Sequence, residues 1–116
     1  MNGHDELSAF CPRYHYAAEL IGRRWTGAIL RALLAGVERF SDLAAAVPGL
    51  SDRMLSERLK ELEAEGIITR TVIPATPVRI TYHLTEKGAA LAPVVEVLAA
   101  WAEAWVPAGD PPVAAS

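Results

Sequence analysis

The segment that decides the fold reads PGLSDRMLSERLKELEAE over residues 48–65. Pro48-Gly49 is a turn sequence, and Ser51 is a residue type that caps the start of a helix. From Ser51 to Glu65, apolar residues share one helical face and polar residues lie opposite. The apolar face contains Met54, Leu55, Leu59 and Leu62, and the polar face contains Arg53, Ser56, Glu57 and Lys60. The segment therefore predicts a helix with one buried and one free surface.

Three shorter helices are predicted upstream. The first begins at Cys11-Pro12 and ends at Gly22, since proline suits a first helical turn and glycine a helix end. The second covers 25–35 and has apolar residues at the spacing of a single buried face. That face contains Trp25, Ala28, Ile29, Ala32 and Leu33. The third covers 39–47 and ends at the Pro48-Gly49 turn.

A β-hairpin and a last helix are predicted downstream. Residues 67–73 are rich in β-branched side chains, as expected of a strand, and 78–84 form the returning strand after a proline-flanked loop. Thr85 caps the last helix, which has a continuous apolar seam. The seam contains Leu91, Val94, Val95, Leu98, Trp101 and Trp105. So much large apolar surface on a terminal helix needs a partner.

This order of elements predicts a winged helix-turn-helix. Two consecutive helices joined by a Pro-Gly turn and followed by a β-hairpin define that motif. The fold class is therefore mainly α with a small β-hairpin (α+β). A chain of 116 residues, 52% of them apolar, suffices for one core and not for two. We expect a domain over 11–106, a flexible arm over 1–10 and a disordered tail over 107–116.

Several classes of protein are disfavoured. The first ten residues carry Asp5 and Glu6 and no apolar run, so no signal peptide is predicted and the protein is expected in the cytoplasm. The apolar stretch 88–108 contains Pro93, Glu96 and Glu103, and we interpret it as a packed helix and not a membrane span. A net charge of −3 argues against nonspecific coating of nucleic acid.

Catalysis is also disfavoured. With a single cysteine the chain has neither an intrachain disulfide nor a thiolate zinc site. The three histidines, His4, His15 and His83, are scattered without ligand-like spacing, and no glycine-rich phosphate loop is present. We therefore expect no enzyme activity, no metal and no cofactor.

A series of collinear motifs resembles the HxlR family of bacterial regulators. These motifs are Cys11-Pro12, 21–26 (IGRRWT), 39–43 (RFSDL), 48–62, Gly66-Ile67-Ile68 and 82–85 (YHLT). The resemblance covers nearly everything from Cys11 to Trp101, and it implies a dimeric winged helix that binds operator DNA and regulates nearby genes. The sequence departs from the family pattern at Arg24, where lysine is usual, at Glu57, where glutamine is common, and at Thr81, where an acidic residue is usual.

A winged helix of this kind reads double-stranded DNA by placing its recognition helix in the major groove. Residues 51–65 fit that role, with Arg53, Ser56 and Glu57 at base edges or nearby phosphates. Glu57 can accept a hydrogen bond from a cytosine amino group but repels phosphate, so the operator is expected to differ from those of relatives. The predicted DNA-contacting residues are Arg39, Ser41, Ser51, Arg53, Ser56, Glu57, Arg58, Lys60 and Arg79. The alternative is an ordinary solvated helix surface.

Three of these predictions concern cations away from the centre of the helix face. Arg58 falls near the apolar seam, so a structural salt bridge is as well supported as a DNA contact. Arg39 and Ser41 lie at the start of the preceding helix, where side chains and backbone amides can contact phosphate. On the hairpin we favour Arg79, beside the DNA backbone or in the minor groove, over Arg70, for which pairing with an acidic neighbour is the alternative.

The first and last helices are predicted to form a two-fold dimer interface. That arrangement would hold two recognition helices about 34 Å apart, one turn of DNA. The predicted interface contains Tyr16, Leu20, Leu91, Val95, Leu98, Trp101 and Trp105. The alternative is that the tryptophans complete the core of one chain.

Cys11 is a candidate redox sensor. It precedes a proline at a predicted helix start, where the helix dipole, Arg13 and His15 favour the thiolate. The resemblance adds that some HxlR proteins sense oxidants or electrophiles through a cysteine at this place. The available switches are a Cys11–Cys11 disulfide across the dimer, a mixed disulfide or alkylation, and the alternative is an inert, part-buried cysteine.

Two other functions remain open at this point. A regulator could respond to a small apolar molecule bound between the first and last helices near Tyr14, Tyr16, Trp101 and Trp105. A protein-interaction module could keep the fold without binding DNA, although Arg39, Arg53 and Arg79 speak against it. The sequence favours a DNA-binding transcriptional repressor.

Overall fold

The computed structural model describes residues 9–109, so most of the predicted arm over 1–10 and most of the predicted tail over 107–116 lie outside the described residues. The described elements are α1 (Pro12–Ile21), α2 (Thr26–Leu34), α3 (Phe40–Ala46), α4 (Asp52–Ala64), β1 (Ile68–Ile73), β2 (Arg79–Leu84), α5 (Glu86–Ala89) and α6 (Ala92–Trp105). This order confirms the predicted winged helix-turn-helix, with α3 and α4 as the helix-turn-helix pair and β1 and β2 as the wing.

The predicted last helix is wrong in one respect, because two helices take its place. Pro93 has no N–H to donate to the carbonyl of Ala89, so the hydrogen-bond ladder cannot run through this point. The helix stops after Ala89, and a new one begins at Ala92 with Leu91 at its N-cap. Proline in the first turn of α6 needs no hydrogen bond there, so α6 can begin at this point.

The core forms where α2, α3, α4 and the start of β1 meet. Its fully buried side chains are Ile29, Leu30, Leu43, Leu55, Leu59, Leu62, Ile67 and Ile68. For α2 the predicted face is wrong by one position, because Leu30 is buried and Ala28 is exposed. Leu30 removes far more apolar surface from water than an alanine, and it follows Thr26 at the i,i+4 spacing of the face actually buried.

The hairpin is an antiparallel pair whose register runs from Ile68 opposite Leu84 to Ile73 opposite Arg79. The segment before α3 makes a further antiparallel bridge to β2. Arg39 pairs with Thr81 in an isolated bridge, and the backbone N–H of Tyr82 donates to the carbonyl of Glu38 at 2.8 Å. The start of α3 is thereby fixed against the wing.

Both ends of α4 are held by side chains. Ser51 is the predicted N-cap, and its Oγ accepts the backbone N–H of Met54 at 3.1 Å. At the other end Lys87 Nζ donates to the carbonyl of Glu65 at 2.6 Å, which satisfies one of the open carbonyls of a helix terminus. A cation there also opposes the partial negative charge of the helix end.

The turn after α4 closes tightly against α5. Thr85 Oγ1 donates to the carbonyl of Gly66 at 2.6 Å and accepts the N–H of Gly88 at 3.1 Å. This brings Gly88 so close to the chain that a Cβ added there would lie 2.1 Å from the carbonyl oxygen of Ile67. Only glycine fits without a backbone shift.

Gly88→Ala is expected to lower the free energy of unfolding by about 3 kcal/mol, because the added methyl group meets backbone and not a flexible side chain. Urea unfolding followed by circular dichroism measures this. Gly27→Ala is the matched control: no atom lies within 4 Å of its added Cβ, and alanine in α2 should add about 0.5–1 kcal/mol. Equal unfolding midpoints for Gly88→Ala and the wild type would contradict the close contact.

Candidate DNA-binding surface and cysteine site

The polar face of α4 is open to solvent at its start. The Arg53 side chain is 90% exposed, and its Nε lies 3.6 Å from Oε1 of Glu57, one helical turn further on. Ser56 is partly exposed and Lys60 is exposed. Ser51 uses one lone pair of its oxygen as the helix cap, which leaves the hydroxyl proton and one lone pair for further partners. Arg53, Ser56, Glu57 and Lys60 therefore share one accessible surface.

Arg58 is placed differently from the other predicted DNA contacts. Its side chain is 15% exposed, Nε donates to the carbonyl of Arg24 at 2.8 Å, and Nη1 lies 3.1 Å from Oε2 of Glu61. Arg23 reaches the other oxygen of the same carboxylate at 3.1 Å. This geometry fits the structural alternative and not a DNA contact, because the guanidinium is already used to tie α4 to the turn before α2.

Arg39, Ser41 and Arg79 are brought together at the wing. They line a groove of about 440 Å³ between the start of α3 and the tip of the hairpin. The bridge between Arg39 and Thr81 accounts for this, since it places residues 39–41 alongside 79–81. Two guanidinium groups and a hydroxyl can thus face one anionic strand.

A second groove, of about 330 Å³, separates α4 from the hairpin. It is lined by Ser56, Leu59, Lys60, Glu63, Arg70 and Tyr82. Sequence reasoning set Arg70 aside in favour of Arg79, but Arg70 lies beside the recognition helix. The signal that identifies it is strand alternation, because Arg70 is two residues after buried Ile68 and therefore on the same face of β1.

Cys11 occupies the N-cap of α1. Its Sγ accepts the backbone N–H of Tyr14 at 3.5 Å, and the residue is partly exposed. The ring of His15 packs on that of Phe10, with centroids 5.3 Å apart. The sulfur therefore has a positive helix end on one side and remains open to reagents.

The predicted dimer residues fall into two groups. Leu20, Leu91 and Val95 are partly buried against the core of their own chain. Tyr16, Leu98, Trp101 and Trp105 are well exposed, Trp105 at 74%. The tryptophans thus do not complete the core of one chain.

Residues 86–105 are the one helical span among residues 9–109 that is long and apolar enough to cross a membrane, judged by length and composition alone. Only 6% of this span is buried within the chain, and no residue of α6 is buried. The predicted packed helix therefore contacts the core of its own chain through Leu91 and Val95, and most of its remaining apolar surface is not covered by this chain. The exposed apolar side chains of α6 are Val94, Val97, Leu98, Trp101 and Trp105.

Tyr16 connects α1 to the end of α4. Its hydroxyl donates to Oε2 of Glu65. That hydrogen bond, together with the negative charge of Glu65, raises the pKa of Tyr16 above its usual value, while Arg23 opposes the shift. The phenol is therefore a neutral donor at physiological pH.

The predicted ligand pocket is only partly assembled. A groove of about 210 Å³ lies between α1 and the start of α6. Of Tyr14, Tyr16, Trp101 and Trp105, only Tyr16 lines it. Among residues 9–109 no group of three histidine, cysteine or carboxylate side chains is arranged to hold a metal ion.

Comparison with known sequences decides the family. The sequence profile of the HxlR-like helix-turn-helix family matches residues 20–110. The chain belongs to this HxlR family. Two curated relatives from Bacillus subtilis (strain 168) are HTH-type transcriptional regulators: YvaP, 52% identical over 99 residues, and YodB, 44% identical over 103 residues. The alignments cover 85% of this chain and 92% of YvaP, and 89% of this chain and 92% of YodB.

Solved HxlR-like structures have the same fold. Reduced YodB superposes with a TM-score of 0.73 over 87% of this chain and 99% of YodB. YodB has also been solved after diamide treatment and with quinone bound. The redox regulator HypR in its reduced form, 34% identical, superposes with a TM-score of 0.75 over 79% of this chain and 91% of HypR. These likenesses confirm the predicted function as a DNA-binding transcriptional regulator.

The departures from the HxlR pattern have visible physical roles. Arg24 keeps a cation, and its guanidinium lies 5.1 Å from the centre of the Trp25 ring. Thr81 is buried, with its Oγ1 at 3.2 Å from Nε2 of His83. Glu57 pairs with Arg53 on the recognition surface. Of the three, only Glu57 lies on the exposed polar face of α4.

Proposed function

We propose that this HxlR-family protein is a cytoplasmic, homodimeric repressor without catalytic activity, which binds double-stranded operator DNA and releases it when Cys11 reacts. The observation that carries the proposal is the open polar face of α4 with a cation-lined groove on its wing side. The other groove, between the start of α3 and the tip of the same wing, is lined by Arg39 and Arg79. A net charge of −3 keeps nonspecific attraction weak, while these cations concentrate positive charge where DNA would lie.

In this proposal Arg53 and Glu57 form the hydrogen bonds to base edges. Arginine donates two hydrogen bonds to guanine, and a carboxylate accepts from the amino group of cytosine. Arg53 Nε and Glu57 Oε1 lie 3.6 Å apart, and this proximity supports contacts of the two side chains to neighbouring base pairs. Glu57 also lowers the attraction of Arg53 for phosphate, so this pair favours specific over nonspecific binding.

A second copy of the chain is assigned to the exposed face of α6. Monomeric proteins rarely expose a contiguous apolar patch of this kind, and Glu96 and Glu103 within α6 disfavour a lipid environment. A two-fold axis beside α6 and α1 would make Trp101 and Tyr16 interface residues. It would also supply the pair of recognition helices that a palindromic operator needs.

Cys11 is assigned the sensing role because it is an accessible thiol at a helix N-terminus. Diamide would take two electrons and two protons from two thiols and become the hydrazine: two Cys11 thiols would leave a disulfide across the dimer, and one Cys11 with a small thiol would leave a mixed disulfide. The Cys11 sulfur would add to a ring carbon of a quinone and form an S–C bond, and the ring would take up the thiol proton and become a hydroquinone thioether. YodB, which has been solved with quinone bound, supports the second reaction. Either product disturbs the N-cap of α1, and Tyr16 transmits the change to Glu65 at the end of α4.

The ligand-binding alternative has less support. Pockets for small ligands typically enclose about 300–1,000 Å³. The groove beside Tyr16 falls below that range, and Tyr14, Trp101 and Trp105 do not line it. Covalent reaction at Cys11 needs no preformed pocket.

DNA binding is tested with the duplex upstream of the protein's own gene and a scrambled duplex, by fluorescence anisotropy at physiological salt. The wild type should prefer its own duplex, and Arg53→Ala should weaken that binding by about 10- to 100-fold because a bidentate base contact is lost. Arg31→Ala, an exposed arginine on α2 outside both grooves, is the control. Equal, weak binding of the wild type to both duplexes would contradict autoregulation.

Dimerisation is tested by sedimentation velocity of Leu98→Glu. The wild type should sediment as a dimer and the variant as a monomer, because a buried unpaired carboxylate costs several kcal/mol. Val78→Glu in the wing is matched to it, since Val78 is 58% exposed and Leu98 is 59% exposed. A wild type that sediments as a monomer, or a Leu98→Glu variant that stays dimeric, contradicts the assigned interface.

Sensing is tested by treating the DNA complex with diamide or benzoquinone. The wild type should lose affinity for its operator, and intact mass should show one quinone adduct per chain, since Cys11 is the single cysteine. Cys11→Ser should keep its affinity under both reagents, because serine preserves the N-cap acceptor without the thiol. Loss of binding by Cys11→Ser to the same extent would contradict sensing through this residue.

A further inference from the structure

The groove between α4 and β1 contains positively charged side chains that are not needed for contacts with base edges. It collects two cations, Lys60 and Arg70, beside the hydroxyls of Ser56 and Tyr82. We propose that this groove is a binding site for one phosphate of the DNA backbone, held chiefly by Lys60 and Arg70. The proposal rests on the proposed DNA-binding function and adds a site to it.

Arg70 is directed to the groove by the register of the hairpin. Ile68 is buried, and Arg70 lies two residues further along the same face of β1. Across the hairpin Arg70 pairs with Tyr82, which also lines the groove. Within residues 9–109 neither Lys60 nor Arg70 forms an ion pair, so both charges are available to a ligand. Sequence reasoning left an acidic partner open for Arg70, and the described residues provide none.

The Tyr82 hydroxyl supplies an independent indication of a ligand. Tyr82 is 8% exposed and its ring packs in the core. No group within residues 9–109 hydrogen-bonds to its hydroxyl, and the described residues contain no enclosed polar atom that lacks a partner. The hydroxyl oxygen therefore reaches the groove, where it is an unused donor. A phenol O–H that faces an open groove without an intramolecular acceptor can donate to an anion bound there.

The position of the groove relative to DNA selects a backbone phosphate. With α4 in the major groove and the wing reaching towards the minor groove, one sugar-phosphate strand must pass between them, because the backbone separates the two grooves of the duplex. The cleft between α4 and β1 is where that strand runs. Lys60 on one wall and Arg70 on the other can therefore approach the same phosphate from two sides.

Glu63 is the one carboxylate that lines this groove. It follows Lys60 by three residues, about 4.5 Å further along the helix axis and away from the end that carries Arg53. Two cations against one carboxylate leave a net charge of +1 among the groove side chains. That is enough to favour a phosphate presented by a bound duplex, while Glu63 weakens the attraction for free anions.

The site is tested by the salt dependence of DNA affinity for Arg70→Gln. Binding should weaken by the same factor for operator and scrambled duplexes, because phosphate carries no sequence information. The slope of log affinity against log salt should become less negative by about 0.9 per subunit, the contribution of one phosphate contact. Arg70→Lys should keep the slope, and Arg31→Gln, an exposed arginine on α2, is the control for the loss of one charge.

Two further measurements separate this site from its alternatives. Tyr82→Phe should weaken binding two- to fivefold without changing the salt slope, since a neutral donor is lost. A scan of operators carrying a single uncharged methylphosphonate should find one position per half-site at which the wild type loses more affinity than Arg70→Gln, in which only Lys60 still contacts that phosphate. Thermal unfolding of each variant confirms that the fold is intact.

An unchanged slope for Arg70→Gln, with Arg53→Ala still weakening operator binding, overturns the phosphate site and leaves the proposed function standing. Absence of duplex binding by the wild type overturns both. Inorganic phosphate, titrated by NMR, distinguishes the source of the anion. If it binds saturably in a way that Arg70→Gln abolishes while the DNA salt slope stays unchanged, the assignment to the DNA backbone is overturned.

Discussion

Burial of one face of α4 is the constraint on which the rest of the structure depends. Leu55, Leu59 and Leu62 are almost fully buried, and burial of each leucine stabilises the fold by about 1.5–3 kcal/mol. Turning the helix by one residue, 100°, would carry these side chains out of the core, so its rotation about its axis is fixed. The same constraint presents Arg53 and Glu57 to solvent. The recognition surface is therefore set by what the helix buries on its other side.

Polar contacts then hold α4 along its length and connect it to α1. Arg58 and Arg23 share the carboxylate of Glu61, which joins the middle of α4 to the segment before α2. Tyr16 reaches Glu65 at the end of α4. Because Cys11 caps the helix that carries Tyr16, a change at the sulfur can alter the setting of α4 without contact between the two. In the proposed function, the contacts that hold α4 in place are also the route by which reaction at Cys11 would change it.

The fold was largely predictable from sequence because its signals are local. Helical periodicity, the Ser51 cap, the Pro48-Gly49 turn and β-branched runs each depend on a few neighbouring residues, and the family resemblance supplied the function. Tertiary contacts decided the rest. The sequence places Arg58 near the apolar seam but leaves its role open, and its contacts with the Arg24 carbonyl and with Glu61 show that the guanidinium is used within the chain. The place of Arg70 depends on strand pairing, which single-strand composition does not reveal.

The exposed face of α6 makes stability and DNA binding interdependent. A chain that leaves Trp101 and Trp105 in water forgoes a large hydrophobic contribution, which a second copy would supply. Folding stability would then rise with protein concentration, as for any partner that binds only the folded state. The two recognition helices would gain their spacing from the same contact. A reaction at Cys11 that shifted α1 against α6 would change both the folding stability and the spacing of the two recognition helices. Loss of operator affinity and lower stability should therefore appear together.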